Sequence, residues 1–272
     1  MSTKSSKKSN VREDKRSIFL KDGAEPLPPY KAYGAPDSAP PDVSIIIPVY
    51  NEEGILRESV TDLAEAMKQF AFTYEIVLAE NGSKDNTVEI GKELEGEFPQ
   101  VRMMHNEEPD YGLALRRGIL SSRAEFILCD EIDICDPSFY VQALSQLFPG
   151  HAEMVVGSKC LDSSKDKRPV FRRFSTFTIN FLLRVFLGFK GTDTHGLKAF
   201  KRQPLIDMVN ACVVNRDLFA SEFVIRTERS QFRVMEVPIE IIEKRAPSIN
   251  LMRRVPHVLK NLAQLVWYIR VK

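Results

Sequence analysis

The sequence predicts an α/β fold built on a single, mostly parallel sheet flanked by helices. Two observations carry this prediction. Short apolar, β-branched runs alternate with segments whose apolar residues recur every three or four positions, and the intervening lengths suit right-handed crossovers. About 230 of the 272 residues follow a polar, proline-rich start, which is enough chain for one large hydrophobic core.

The first folded run, residues 43–50, is apolar on both faces, as expected of a buried parallel strand. Further strands are predicted at residues 74–79, 101–104, 125–129 and 154–157. Helices are predicted near residues 56–70, 83–98, 113–120 and 137–147, because their apolar positions have helical spacing or because capping residues precede them.

The net charge of +1 hides a strong segregation of charge along the chain. Residues 42–158 carry a net charge of −14, whereas residues 159–202 carry +8. The last 29 residues carry +7 and no acidic side chain. The segregation indicates one acidic and one basic working surface, although many of the acids are expected to lie on solvated helix faces.

Several classes of protein are excluded by composition and motif. No apolar stretch reaches the roughly 18–20 residues that span a bilayer, and the basic N-terminus lacks the apolar core of a signal peptide. The four cysteines form no C-x-x-C pair, which favours reduced thiols in the cytoplasm over a zinc site. The glycine-rich phosphate motifs of dinucleotide-binding and P-loop enzymes are absent, and an acidic sheet edge disfavours nucleic acid.

Acidic and polar residues follow three of the predicted strands. These segments are Pro48-Val-Tyr-Asn-Glu52, Glu80-Asn-Gly-Ser83 and Asp130-Glu-Ile-Asp133. Because ligands bind beyond the carboxyl ends of parallel strands, the three segments are expected to meet at one edge of the sheet. Carboxylates repel a pyrophosphate unless a divalent cation lies between them. Oxygen ligands favour Mg²⁺ or Mn²⁺ as that cation. By itself the last segment is also compatible with solvated loop acids.

Together these motifs resemble those of the family 2 glycosyltransferases. Later segments resemble the dolichyl-phosphate mannose synthase and polyprenyl-phosphate glycosyltransferase branch of that family. They are Val156-Gly-Ser-Lys159, Asp193-Thr-His-Gly-Leu-Lys-Ala-Phe-Lys-Arg202 and Met235-Glu-Val-Pro-Ile-Glu240. The resemblance covers about residues 43–255 and implies the GT-A (nucleotide-diphospho-sugar transferase) fold, to which the sequence adds C-terminal amphipathic helices.

The resemblance implies roles for the residues that match the nucleotide-binding motifs. Pro48, Tyr50 and Glu52 correspond to contacts with the nucleotide base. Glu80 and Asn81 stand where the family usually has two aspartates, of which the first contacts the base or the ribose. Both substitutions depart from the family pattern.

Glu131 and Asp133 fall on the family's metal-binding D-x-D motif, with Glu131 in place of the first aspartate. The extra methylene moves the carboxylate by roughly 1 Å, and a shift of that size can cost about 100-fold in rate where the geometry is tight. Asp130, one residue before the motif, is assigned to the nucleotide site. Arg245 is expected to cover the pyrophosphate.

The lipid-phosphate branch also implies an acceptor site. Lys159 matches a basic residue that contacts the acceptor phosphate, and Arg172 with Thr176 matches an arginine and a hydroxyl residue four positions apart, with Arg173 as a near rival. Lysine offers a point charge where the family often has the planar fork of arginine, so phosphate binding is expected to be looser. His195 is placed with these contacts, although a lone histidine is more often a structural hydrogen-bonding residue.

Catalytic roles are assigned to Asp133, Asp193 and Glu222. Asp193 is expected to orient its loop or the acceptor. Glu222 matches a family carboxylate near the acceptor and would act as a general base if the acceptor were a hydroxyl. The alternative for Glu222 is an ion pair with Arg226, four residues further along the helix.

Residues 168–189 interleave arginines with phenylalanines and leucines at helical spacing, which is typical of a helix in a membrane interface. The alternative is an ordinary helix that packs Phe177, Phe181 and Val185 on the sheet. The C-terminal stripe at residues 258–269 ends in aromatic and basic residues that suit an interface anchor, but it could equally pack on the core or on a partner subunit.

We therefore expect a flexible tail at residues 1–41 and a catalytic domain at residues 42–243. Residues 42–158 would form its nucleotide-sugar part and residues 159–243 its acceptor part, followed by a basic amphipathic segment at residues 244–272.

The predicted function is that of a metal-dependent, inverting glycosyltransferase. It would use Mg²⁺ or Mn²⁺ to move a hexose from a GDP- or UDP-sugar to a polyprenyl- or dolichyl-phosphate-type acceptor at the cytosolic membrane face. An anionic phosphate needs no general base, and the basic segments favour such an acceptor. Two alternatives stay open: a soluble family 2 enzyme acting on a saccharide or small-molecule hydroxyl, and a nucleotide-sugar-binding protein with weakened catalysis.

Overall fold

The computed structural model describes residues 31–32, 39–161, 170–216, 218–240 and 251–270. Within these residues the chain forms one sheet of eight strands. The strands are β1 (Lys31–Ala32), β2 (Val43–Val49), β3 (Tyr74–Asn81), β4 (Val101–Asn106), β5 (Phe126–Cys129), β6 (Met154–Ser158), β7 (Lys198–Lys201) and β8 (Val234–Pro238).

Helices cover both faces of this sheet. They are α1 (Leu56–Met67), α2 (Thr87–Glu97), α3 (Tyr111–Ser121), α4 (Pro137–Leu147), α5 (Val170–Leu187), α6 (Arg202–Ala211), α7 (Phe219–Arg229) and α8 (Leu251–Arg270).

The sheet is mostly parallel, as predicted, with the strand order β1-β4-β3-β2-β5-β7-β6-β8. Strand β2 pairs in parallel with β3 and β5, and β3 pairs in parallel with β4. Strand β7 lies antiparallel between β5 and β6, and β1 is antiparallel to β4 at the edge. The carboxyl ends of β2, β3, β4 and β5 therefore meet at one edge, where the amino end of β7 also lies.

The two faces of the sheet carry separate halves of the hydrophobic core. In β2, Ile46 points to one face and packs in a cluster that includes α3 and α7. Its neighbours Ile45 and Ile47 point to the other face and join a cluster that includes α1 and α4. All three are fully buried, which explains why this strand reads as a continuous apolar run rather than an alternating one.

Carboxylates begin the two helices that follow the site loops. The Asp110 side chain accepts a hydrogen bond of 2.9 Å from the N–H of Leu113 at the start of α3. Asp136 accepts one of 2.9 Å from the N–H of Ser138 at the start of α4, where Pro137 occupies the first turn. These caps fix where each loop ends and thereby fix the position of the loop residues.

The exposed face of α5 contradicts the packing alternative for this segment. Phe177, Phe181 and Val185 are 63%, 52% and 54% exposed. The buried side of the helix is formed by Leu183 and Leu187, which point in a different direction because each residue turns the helix by about 100°.

Only part of the C-terminal stripe packs on the core. In α8, Leu262 and Leu265 are buried, whereas Leu259 and Trp267 are 50% and 57% exposed. Among the described helices, none combines the length and the hydropathy that a membrane span requires.

The predicted division of the domain runs through one continuous sheet. Strands β7 and β8 belong to the expected acceptor part, yet β7 pairs with β5 and β6, and β8 pairs with β6. In addition, two residues of the predicted tail form β1. The boundaries themselves remain predictions.

Candidate active site

The three polar segments converge on the predicted edge, and side chains tie the loops after β2 and β3 together. The N–H of Asn51 donates to Ser83 Oγ over 2.9 Å, and the N–H of Lys84 donates to Asn51 Oδ1 over 2.8 Å. Asn51 has a φ of 55°, a left-handed conformation that asparagine tolerates better than most residues. The two loops therefore form one rigid rim.

The residues of the segment Pro48–Glu52 differ in exposure and therefore in their access to a ligand. Pro48 lies within β2 and is buried, and Glu52 is only 6% exposed. The N–H of Glu52 donates to Thr87 Oγ1 over 2.7 Å, which anchors the loop to the start of α2. Tyr50 is half-buried at the beginning of the loop and is the most accessible of the three.

Glu80 and Asn81 are engaged in contacts within the protein. Glu80 is fully buried, and its carboxylate accepts a hydrogen bond from the N–H of Ser83 and contacts Nδ1 of His105 on β4. Asn81 Oδ1 accepts a hydrogen bond of 2.5 Å from the N–H of Asp110. Direct contact of Glu80 with a nucleotide remains a prediction, and His105 is the partly exposed partner of this buried carboxylate.

A second polar chain supports the same edge. Asn106 Nδ2 donates to the carbonyl oxygen of Glu80 over 2.8 Å, and Asn106 Oδ1 accepts a hydrogen bond from Arg117 of α3. Both Asn106 and Arg117 are buried. The ends of β3 and β4 are thereby locked to α3.

Asp130 organises the acidic loop after β5. Its carboxylate accepts hydrogen bonds from the N–H of Glu131 over 2.6 Å, from the N–H of Asp136 over 3.1 Å, and from the Tyr140 hydroxyl. Burial raises the pKa of Asp130 to about 7, although these hydrogen bonds act in the opposite direction. With 2% exposure it shapes the loop, and its assignment as a nucleotide contact remains a prediction.

Glu131 and Asp133 are half-buried in this loop. Burial raises the pKa of Glu131, the negative charge of Asp133 adds to that effect, and the charges of Lys159 and Lys198 oppose it. Lys159 directly follows β6 and Lys198 begins β7, so both ammonium groups belong to the same edge of the sheet as these two carboxylates.

The carboxylate pair fits a hard divalent cation. Within the described residues, no group of three or more His, Cys, Asp or Glu side chains is arranged to hold a metal by itself. Mg²⁺ in phosphate-transferring sites is commonly held by one or two carboxylates together with substrate phosphates. Glu131 and Asp133 supply that number of protein ligands and the right oxygen chemistry.

Lys159 and Asp193 meet at the end of β6. Lys159 Nζ lies 3.7 Å from Asp193 Oδ2, and the Asp193 carboxylate is fully buried. Asp193 Oδ1 accepts a hydrogen bond of 2.9 Å from the N–H of His195. Burial acts to raise the pKa of Asp193, but Lys159 and the other donors and charges around it outweigh burial and hold the pKa below its usual value.

Lys198, which the motif analysis did not single out, begins β7 at the same edge. It is 3% exposed, and its Nζ donates to the carbonyl oxygen of Gly196 over 2.6 Å. Burial lowers its pKa, whereas the charges of Cys129, Asp193 and Glu131 raise it. The sequence signal that could have identified Lys198 was its place inside the Asp193–Arg202 motif.

The loop that carries Asp193 is clamped from two sides. Glu236 of β8 accepts hydrogen bonds from the N–H of Thr192 over 2.6 Å and from its hydroxyl over 2.8 Å. Asn180 of α5 donates to the carbonyl oxygen of Thr192 over 2.6 Å. His195 is half-buried in this loop, with Nδ1 3.1 Å from Thr194 Oγ1, and its place in the acceptor site stays a prediction.

Glu222 is occupied by structural contacts. Its buried carboxylate accepts hydrogen bonds from the N–H groups of Val213 and Val214 over 2.8–3.0 Å and from Arg226 Nε over 2.7 Å. The ion pair with Arg226, which was the alternative interpretation, is therefore present. Because all of these contacts are structural, we do not assign Glu222 a catalytic role.

Two assigned residues fall outside what can be described. Arg245 and the side chain of Arg172 lie beyond the described part of the chain. Thr176 is half-buried on α5, one helix that borders the Asp193 loop.

The chain is similar to several known proteins. The family model described as Glycosyl transferase family 2 matches residues 44–208. Glycosyltransferase AglD of Haloferax volcanii is 25% identical over 236 residues, which are 85% of this chain and 38% of that protein. A dolichyl-phosphate beta-glucosyltransferase of Trichomonas vaginalis is 27% identical over 241 residues, which are 83% of this chain and 73% of that protein.

A solved structure carries the same fold. The glucosyl-3-phosphoglycerate synthase of Mycobacterium tuberculosis, crystallised with UDP, aligns with a TM-score of 0.55 at 16% identity, over 83% of this chain and 80% of that one. At that identity the similarity concerns the fold alone. The predicted family and fold are thus confirmed: the chain is a member of glycosyl transferase family 2 and has the GT-A fold.

Proposed function

We propose that the protein is a metal-dependent, inverting glycosyltransferase that moves a hexose from a GDP- or UDP-sugar to a polyprenyl- or dolichyl-phosphate-type acceptor. The observation that carries this proposal is the arrangement at one sheet edge of the Glu131 and Asp133 carboxylates beside Lys159 and Lys198. Carboxylates suit the donor's metal-bound diphosphate, and ammonium groups suit an anionic acceptor.

On the donor side, Glu131 and Asp133 would hold Mg²⁺ or Mn²⁺. When bound, such a cation neutralises the negative charge that grows on the departing nucleoside diphosphate. Tyr50, half-buried directly after β2, would contact the nucleoside. Asp130 holds the carboxylate loop in place through its three hydrogen bonds.

On the acceptor side, Lys159 would bind the phosphate, and Asp193 would keep the ammonium group in position. A phosphate oxygen forms the new bond to the anomeric carbon while the bond from that carbon to the diphosphate oxygen breaks, and the configuration inverts. The nucleophile is already anionic, so no residue has to remove a proton. This agrees with the structural role of Glu222.

The names of relatives support this acceptor. The Trichomonas vaginalis protein is named for transfer to dolichyl phosphate, and the present chain covers 73% of its length. The chain covers only 38% of the length of the Haloferax volcanii protein, so much of that protein has no counterpart in it.

We also propose peripheral contact with the cytosolic face of a membrane. The exposed stripe on α5, formed by Phe177, Phe181, Val185 and Phe186, accompanies a helix that contains arginines and no acid. Exposed apolar side chains flanked by bases suit an anionic lipid surface. Such contact would bring the lipid acceptor to Lys159 without a membrane span.

The direct test is transfer of hexose to a polyprenyl phosphate by the purified protein, with UDP- and GDP-hexoses and with Mg²⁺ or Mn²⁺. We expect turnover with one donor, its loss on chelation, and a fall of about 100-fold or more in Asp133→Asn. That variant removes the negative charge of one of two metal ligands, and changing even an outer partner of a metal ligand costs about 10–100-fold. Asp136→Asn, which lies in the same loop but caps α4, is the matched control. Metal-independent turnover, or wild-type activity in Asp133→Asn, would contradict the proposal.

A further inference from the structure

Glu80 and His105 form a side-chain pair that the sequence motifs did not predict. They are direct neighbours in the register of β3 and β4, and they occupy the carboxyl ends of those strands. The Glu80 side chain is fully buried, whereas that of His105 is 25% exposed. The buried carboxylate binds Nδ1 of the imidazole, so His105 is the member of the pair that reaches solvent.

Both oxygens of the Glu80 carboxylate have protein partners, and the side chain is fully buried. One oxygen accepts the hydrogen bond from the N–H of Ser83, and the other contacts His105.

The backbone around this pair is tightly packed. Gly82 has a φ of 72°, and a Cβ atom at this position would lie 3.0 Å from Glu107 O and from the backbone of Glu108 and Pro109. Asn81 Oδ1 accepts a hydrogen bond from the N–H of Asp110, which joins the loops after β3 and β4. The backbone that carries Glu80 and His105 is therefore held in place.

The position of the pair relative to the carboxylate loop indicates which part of the donor it meets. Strand β4 lies three strand spacings from β5, in the order β4-β3-β2-β5. At about 4.8 Å for each spacing, His105 is roughly 14 Å across the sheet from the start of the Glu131 loop. With the diphosphate at Glu131 and Asp133 and the nucleoside at Tyr50, as proposed above, the base would extend in this direction, toward β3 and β4.

From this geometry we infer that His105, oriented by Glu80, contacts the base of the donor nucleotide and determines which base is accepted. This inference rests on the proposed function, because it requires the diphosphate to lie at Glu131 and Asp133. With Nδ1 engaged by the carboxylate, Nε2 is the nitrogen that forms a hydrogen bond to the edge of the base. Glu80 acts as a positioning residue: it holds the imidazole in place and does not itself contact the base.

His105→Asn separates a ligand contact from a structural one. The amide nitrogen of asparagine occupies roughly the place of Nδ1, so it keeps the contact with Glu80 but has no group in the place of Nε2. Binding of UDP, GDP, CDP and ADP in the presence of Mn²⁺ is measured by calorimetry on the full chain. We expect the ratio of affinities between the preferred nucleotide and the others to fall about tenfold, as for loss of one hydrogen bond, with inorganic pyrophosphate binding and Tm unchanged.

Glu80→Asp is the second variant, since a shorter carboxylate no longer reaches His105. It is expected to weaken the preference between bases while pyrophosphate binding persists. His151→Asn, in the exposed turn before β6, is the matched control and should leave the preference unchanged. A His105→Asn protein with the wild-type preference, or a wild type that binds all four nucleotides equally, would overturn the inference. Failure of the wild type to bind any nucleotide or pyrophosphate would instead overturn the proposed function, and this inference with it.

Discussion

Lys159 Nζ and Asp193 Oδ2 lie 3.7 Å apart and join the end of β6 to the loop that precedes β7. The two residues are far apart in the sequence, and each also interacts electrostatically with the Glu131 carboxylate. The ion pair thus couples the proposed acceptor cation to the proposed metal loop.

Asp193→Asn should weaken acceptor binding more than donor binding. Asparagine keeps a hydrogen-bond acceptor for the N–H of His195 but removes the charge that positions Lys159. We expect the KM for a polyprenyl phosphate to rise about tenfold while the KM for the nucleotide sugar changes little, as measured by steady-state kinetics with each substrate varied. Asp207→Asn, on the exposed side of α6, is the control. An unchanged acceptor KM would show that the ion pair has no part in acceptor binding.

Glu222→Gln should lower stability without abolishing activity. A glutamine oxygen still accepts hydrogen bonds from the N–H groups of Val213 and Val214, but the buried Arg226 loses its charged partner, which is costly in the protein interior. We expect a lower Tm and a kcat within a few-fold of the wild type. A general base contributes about 100-fold or more, so a loss of that size in a folded variant would restore Glu222 as a catalytic residue.

The pair between Glu153 and Arg233 should make stability depend on pH. The hydrogen bond from Arg233 lowers the pKa of Glu153 below its usual value of 4.5, so its contribution is present above that pH and is lost as the pH falls through the lower, folded-state value. We expect Glu153→Gln to lower the urea midpoint slightly at pH 7, because the pair is partly exposed. The difference from the wild type should vanish as the solution is acidified below pH 4.5, and a difference that grows on acidification would refute this account.

Substitution of the exposed α5 stripe should abolish membrane contact and leave the fold intact. Phe177 and Phe181 are more than half exposed, so changing both to serine removes little from the core. We expect the double variant to lose flotation with anionic liposomes and to keep the wild-type Tm. Val141→Ser, on α4 at the opposite face of the sheet, should float like the wild type. Equal flotation of the double variant and the wild type would exclude this face as the contact surface.

The sequence predicted the sheet centre and the convergence of the three acidic segments, because buried parallel strands have a strong apolar signal. Strand β7 escaped prediction, since two of its four residues are lysines and its pairing with β5 and β6 is long-range. The spacing of apolar residues in α5 also could not show which side of the helix packs against the core. Leu183 and Leu187 face the core while Phe177 and Phe181 do not, and both sets have helical spacing.

Motif matching placed the site residues but could not give their partners. Glu80 was assigned to the nucleotide from its position alone. Its contact with His105, 25 residues away in sequence, depends on the register of β3 and β4. The contact of Asp130 with Tyr140 likewise appears only when the loop closes on α4. Such tertiary hydrogen bonds leave no periodic signal in a single sequence.

The central claim is that the acceptor is a lipid phosphate bound at Lys159, and the most direct measurement compares a polyprenyl phosphate with the matching unphosphorylated polyprenol. The wild-type protein, its preferred nucleotide sugar and Mn²⁺ are used, and the glycosylated lipid is quantified. We predict transfer to the phosphate alone, and a loss of at least about tenfold in kcat/KM in Lys159→Met, which removes the charge at nearly constant size. Equal transfer to the polyprenol, or an unaffected Lys159→Met enzyme, would contradict the claim.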